Sequence, residues 1–151
     1  MKKIKLVFLI VAVVICAGVF VACGGEAAPK KTFNEFISAM NACYADGFKD
    51  ADMERVAATF GSSESKEYKD ALADIKAAKS KSEKDNYTIE LAVVKFSQWS
   101  VGDKEASVTI KVKVDENDDG KKSTDSEEKS VKFKKVGDEW YIDVITFTFF
   151  D

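Results

Sequence analysis

Ala106-Ser107-Val108-Thr109-Ile110-Lys111-Val112-Lys113-Val114 alternates apolar and polar residues without a break. Successive side chains of a strand point to opposite faces. This stretch therefore has one apolar and one wet face, as in an antiparallel sheet covered on one side. Before it, Tyr87, Ile89, Leu91 and Val93 keep the same period, and Val94 and Phe96 continue out of phase. That slip predicts a bulge or bend in a long strand. Gly102-Asp103 reads as a hairpin turn between the two. After Val114 a polar loop is expected from Asp115 to about Asp125. A strand through Val131 and Phe133 follows, then a tight turn at Gly137-Asp138 and a last strand from Trp140 to Phe150. On that last strand Ile145, Phe147 and Phe149 share a face with Tyr141 and Asp143, while Trp140, Ile142 and Val144 take the other. A strand apolar on both faces needs cover on both, which would make the outer sheet face a dimer or partner interface. A bulge near Val144 would instead switch the phase, and the two readings stay open here.

Upstream of Tyr87 the period is 3.6. Phe33, Phe36, Ile37, Met40, Cys43 and Tyr44 form one continuous helical stripe over Phe33–Ala45. Thr32 and Glu35 are spaced as a capping box, and Asp46-Gly47 ends the helix. A second helix is expected from about Ala51 to Phe60, with Asp50 as N-cap and Met53, Val56, Ala57 and Phe60 as its apolar face. A third, from about Glu64 to Lys81 behind the Ser62-Ser63 caps, has only a narrow apolar face and should lie on the surface. Helices grouped first and strands grouped second predict an α+β fold: three N-terminal helices packed on a curved four-stranded antiparallel sheet.

The order of three helices and long bent strands, closing on Val136-Gly137-Asp138-Glu139-Trp140-Tyr141-Ile142-Asp143, resembles the nuclear-transport-factor-2-like cone of the cystatin-like superfamily. More narrowly, it is similar to the bacterial lipoprotein family called domain of unknown function 4878, to which the stretch Phe33 to Phe60 also conforms. The resemblance covers most of residues 32–151. One departure is that no strand is evident between the second and third helices. The resemblance implies a pocket between sheet and helices, lined by Phe36, Met40 and Tyr44 from the first helix and by Trp99 and Trp140 from the strands. The plainer reading is that these side chains fill the core, as aromatic stripes at helical spacing usually do.

The N-terminus reads as an address. Lys2, Lys3 and Lys5 precede an apolar run from Leu6 to Cys23 broken only by Gly18. A basic segment followed by an apolar one is a secretory signal, and the alternative is a retained transmembrane helix of minimal length. The run ends Phe20-Val21-Ala22-Cys23-Gly24, which resembles a bacterial lipobox, though Phe20 stands where leucine is usual. That resemblance implies cleavage after Ala22 and a diacylglyceryl thioether on Cys23. Residues 1–22 would be signal peptide, 23–31 the lipidated Cys23 and a flexible tether, and 32–151 the folded domain. Two acyl chains suffice for stable attachment where one does not. The chain would then reside in the cell envelope, anchored through its lipid on the extracytoplasmic side.

Composition narrows the chemistry. The 151 residues include no His, which removes imidazole-based triads and His-ligated zinc. Without residues 1–22 the chain carries 20 basic and 26 acidic side chains, so no nucleic-acid partner is expected. Cys43 would be the one free thiol and, on an apolar helix face, a small buried hydrophobe. Asp115, Asn117 and Asp119, with Gly120, spell the start of a calcium loop, but Ser126 sits where a bidentate Glu is needed. A solvated acidic turn is the preferred reading. No cofactor is called for. Ketosteroid isomerases of this fold class pair an Asp base with Tyr, and Tyr44 with Asp143 is the loose counterpart here. The expectation is a lipid-anchored, non-catalytic module binding a small apolar ligand or a protein, with a small enzyme using Tyr44 and an Asp as the alternative.

Overall fold

The computed structural model describes residues 25–145. Three helices, α1 (Ala27–Ala45), α2 (Asp50–Ala58) and α3 (Lys66–Asp85), precede four strands, β1 (Tyr87–Val101), β2 (Glu105–Asp118), β3 (Lys121–Val136) and β4 (Glu139–Ile145). The strands form one antiparallel sheet in the order β1-β2-β3-β4. This is the expected α+β meander. The signal segment, Cys23, Gly24, Phe147 and Phe149 lie outside the described residues.

Helix α1 starts six residues earlier than its apolar stripe predicts, so the segment expected as tether is helical from Ala27. Pro29 sits in the first turn, where its missing N–H would have no intrahelical partner. Thr32 is consequently inside the helix and caps nothing. Its hydroxyl lies 3.3 Å from Ala28 O and 3.0 Å from Trp140 O, the second contact docking α1 on β4. Asp50 opens α2 as its first residue rather than its cap, and Asp50 and Asp52 face the positive end of the helix dipole. Ser65, not Ser62 or Ser63, caps α3 by accepting from Tyr68 N at 3.1 Å. The helix runs on to Asp85 and stops at Asn86, which adopts the left-handed conformation at φ 47°.

The slip in β1 is a bulge: Val93 pairs with Val112 and Lys95 with Lys111, leaving Val94 out of register and 58% exposed. A second shift, between Ser97 and Ser100, places Gln98 at φ 54°. The loop expected over 115–125 is instead paired strand. The β2–β3 register runs unbroken from Glu105↔Lys134 to Asp118↔Lys121. Asp119 and Gly120, at φ 47° and 85°, close it as a two-residue turn whose twist matches the strands. On β4 the pairs Phe133↔Ile142 and Lys132↔Val144 leave Asp143 as an extra residue. The phase therefore switches, and Ile142 and Ile145 both enter the core. The expected bulge near Val144 is therefore present, one residue earlier, at Asp143.

One core lies between the helices and the inner sheet face. Phe33, Phe36, Met40, Cys43, Met53, Val56, Phe60 and Ile75 pack on Val108, Ile110, Val112, Val131, Phe133 and Ile142. Both edges of the sheet are gripped at mid-length. Asn41 of α1 donates from Nδ2 to Leu91 O and accepts from Leu91 N, each at 2.8 Å, so a side-chain amide pairs with β1 as a strand would. At the opposite edge Ile142 N donates to Thr59 O at 2.8 Å.

Candidate functional site

A surface groove of about 380 Å³ opens where three elements meet. The first turns of α1 supply Lys31, Thr32 and Glu35. The end of α2 gives Arg55 and Thr59, and the β3–β4 turn with the start of β4 gives Asp138, Glu139 and Trp140. Its floor is held by the chain's single arginine. Arg55 Nε donates to Glu35 Oε1 at 2.9 Å, Nη1 to Asp52 Oδ1 at 3.1 Å and Nη2 to Ser38 Oγ at 3.3 Å. These bonds tie α2 across α1 and engage all three guanidinium nitrogens within the protein. Exposed pairs of this kind contribute at most about 1 kcal/mol each, so Arg55 sets the angle between the helices more than it stabilises them.

Of the five side chains singled out as a pocket, three belong to the core and two pack against it. Phe36, Met40 and Tyr44 are 2%, 2% and 8% exposed and belong to the core. Phe36 meets Phe60 edge to face at 5.8 Å, and Tyr44 meets Phe48 at 4.8 Å and Tyr87 at 6.4 Å. Trp99 is stacked between Phe96 and Phe133, at 5.8 and 6.3 Å. Trp140 alone of the five lines the groove.

Tyr44 and Asp143 are held apart. Thr32 touches Trp140, three residues from Asp143. Tyr44 packs on Tyr87, which pairs with Asp118 at one end of β2, whereas Asp143 lies beside Lys132 and Phe133, which pair with Ser107 and Ala106 near the other end. Burial raises the Tyr44 phenol pKa further above its usual value, so Tyr44 stays protonated. Tyr87 is raised too, chiefly by burial and then by Glu116, to whose Oε1 it donates at 3.1 Å. Asp143 is partly exposed and lies 3.5 Å from Lys134 Nζ, which also donates to Glu67 Oε1 at 2.6 Å. The hydrogen bond from Lys134 holds the Glu67 carboxyl below its usual range. This trio fastens the start of α3 to β3 and β4. The Cys43 thiol is fully enclosed and pushed up to about 11, by burial first and by Asp52 second, as a structural thiol should be.

The residues that spell the start of a calcium loop belong to a paired hairpin. Asp115 and Asn117 lie on β2 and Asp119 in the turn. Alternate residues of a strand stand about 7 Å apart, whereas calcium ligands wrap an ion at about 2.4 Å. Asp115 is already engaged by Lys113 Nζ and Thr124 Oγ1, both at 2.6 Å, and the Lys113 bond keeps its carboxyl ionised. Among the described residues no group of three or more His, Cys, Asp or Glu could hold a metal ion. Nor is any of their helices long and apolar enough to cross a membrane.

Sequence reading missed the Arg55 clamp, the Glu67–Lys134–Asp143 trio and the Asn41 clasp. Only the first had a local signal, the i,i+3 spacing of Asp52 and Arg55. The Asn41 clasp and the Glu67–Lys134 bond join residues 50 and 67 apart in the chain.

Solved structures share the fold. The chain is similar to the Aln2 protein of a Streptomyces species, at 12% identity and TM-score 0.56 over 81% of this chain and 88% of that one. It is similar to a protein of Xanthomonas campestris described as a calcium/calmodulin dependent protein kinase II association domain, at 13% identity and TM-score 0.55 over 88% and 93%. It also resembles an NTF2-like protein with a cystatin-like fold from Novosphingobium aromaticivorans, at 13% identity and TM-score 0.51 over 76% and 77%. No curated protein matches its sequence. The family model described as domain of unknown function (DUF4878) matches residues 21–143, nearly the whole cone and the residues leading into it, and the chain belongs to that family.

Proposed function

We propose that this protein is a lipid-anchored lipoprotein of the extracytoplasmic face of a membrane, and that its NTF2-like domain is a non-catalytic interaction module. The observation that carries the reading is the string Val21-Ala22-Cys23-Gly24 at the end of an apolar run headed by three lysines. The packing favours surface recognition. Phe33, Phe36, Met40 and Phe60 are buried between helices and sheet, while the groove beside Trp140 is open and carries both charged and apolar surface. A protein segment suits such a groove better than a small apolar molecule, which gains its affinity from enclosure. Tyr44 and Asp143 have separate partners, which weighs against that pair as the catalytic groups of the enzyme alternative.

Mass spectrometry of the native N-terminus tests the anchor. The expected species begins at Cys23 and carries a diacylglyceryl mass, and Cys23→Ala leaves membranes or stays unprocessed. A full-length chain with Met1 and a bare Cys23 thiol would overturn the reading. For the module, a solvatochromic dye should show no saturable binding to the native domain. One dye bound per chain, lost on filling the interior with Ala39→Phe, would restore an internal pocket.

A further inference from the structure

We infer that the domain stands end-on, seated on the bilayer that holds its anchor by the end of the sheet that carries the β1–β2 loop and the β3–β4 turn. The inference rests on the lipid-anchor reading above and adds to it the face that meets the membrane. A Cβ built on Gly25 would come within 2.8 Å of Val101 Cγ1, so the chain enters the domain against the last residue of β1. Cys23 is two residues further out, at most about 7 Å of extended chain. A lipid there holds this end of the sheet at headgroup depth, because the headgroup layer is itself only about 6 Å thick per leaflet.

The meander determines what shares that end. Residues 102–104 and the turn at Gly137-Asp138 lie on it, joined by Lys135 N donating to Lys104 O at 2.7 Å. The Asp119-Gly120 turn lies at the other end, beyond the fourteen residues of β2, about 45 Å away at strand rise. The near end carries Val136, which is 58% exposed, as well as half-buried Trp99 and Trp140 and the exposed Lys30, Lys31 and Lys104. Tryptophan, an exposed aliphatic and long lysines suit a headgroup layer, where an apolar body and a charged tip are both solvated. Glu26, Asp103, Asp138 and Glu139 share the same end. The seat is therefore no basic patch and does not adsorb by charge alone; the lipid brings the surface into contact and the apolar and aromatic groups orient it. The far end offers no such set, its hairpin tip being Asp118, Asp119, Gly120, Lys121 and Lys122.

The test uses the full lipidated chain in phosphatidylcholine–phosphatidylglycerol vesicles containing a headgroup-spin-labelled lipid. Fluorophores are placed on Val136→Cys or Lys121→Cys, Cys43 being enclosed and unreactive. Quenching at position 136 is expected to exceed that at 121 at least twofold, and tryptophan emission should be quenched with it. Labels at Glu105→Cys and Ser123→Cys, near the two ends of the hairpin, should repeat the ranking if either first variant folds poorly. A chain that carries its lipid and sediments with vesicles, yet shows equal quenching at both ends, overturns the seat and leaves the anchor standing. Native chain recovered from cells without lipid on Cys23 overturns both.

Discussion

The covered half of the sheet and the bare end of the β2–β3 hairpin are built on one ladder, and their side chains face different worlds. From Ala106 to Val114 every inward residue of β2 is 0–5% exposed beneath the helices. Beyond Val114 the same strand continues in perfect register through Glu116 and Asp118, and its partner positions on β3 are Thr124, Ser123, Lys122 and Lys121. Backbone pairing does not change at that boundary, but burial does. The first region is held by apolar area removed from water, about 25 cal/mol per Å². The second is held by its hydrogen bonds, its turn and surface contacts such as Asp115 with Lys113 and Thr124.

The comparison is sharpened most by a core truncation. Phe33 is fully buried against Phe36 and Phe96, at 5.8 and 6.0 Å. Phe33→Ala should cost about 3–5 kcal/mol in urea denaturation, whereas Lys122→Ala, exposed on the hairpin opposite Asn117, should change stability by less than about 0.5 kcal/mol. Equal losses would break the distinction. Next in size is Asn41→Ala, which strips the partners from both Leu91 backbone groups. It should cost about 2 kcal/mol, and the Leu91 amide should exchange faster than its neighbours in hydrogen-exchange NMR.

Gly120→Ala probes the bare region alone. Nothing lies within 4 Å of a Cβ there, so the cost comes from φ 85° and should be about 1 kcal/mol. Amide protection should fall over residues 115–125 while the melting of the core moves little. The smallest effect belongs to Glu67. Its folded pKa is depressed, so its contribution is fully present above the ordinary glutamate value near 4.3 and is lost as pH falls through the lower folded value. Glu67→Gln should flatten the acid limb of stability between about pH 4.5 and 3, by about 0.5 kcal/mol or less for so exposed a pair.

The same boundary marks where the fold was legible. Hydrophobic period reports burial, so the Phe33–Tyr44 stripe, the 106–114 alternation and the Val93–Val94 slip were readable, and with them the fold. Residues 121–130 contain no apolar side chain, so nothing in their pattern distinguishes strand from loop. The signal that could have done so was Asp119-Gly120, a two-residue turn pair, overshadowed by its likeness to a calcium loop. The first turns of α1 were hidden for a related reason: Gly, Ala, Pro and Lys make no stripe, and Pro29 reads as a breaker unless the helix is known to start two residues before it. Of the candidate site, Trp140 was legible and the groove was not. Its walls come from α1, α2 and β4, and their convergence is a product of tertiary packing.

The two clasps at mid-sheet have a bearing on self-association at high concentration. Templated growth of fibres needs a strand rim with its amides and carbonyls on offer. At Leu91 the rim is taken by a helix side chain, and at Ile142 by a carbonyl from the preceding helix pair. The stretch of β3 that β4 does not reach among the described residues bears Lys121, Lys122, Asp125, Glu127, Glu128 and Lys129. A second chain arriving there meets a rim of charged side chains, so copies of the chain are discouraged from polymerising through their sheets.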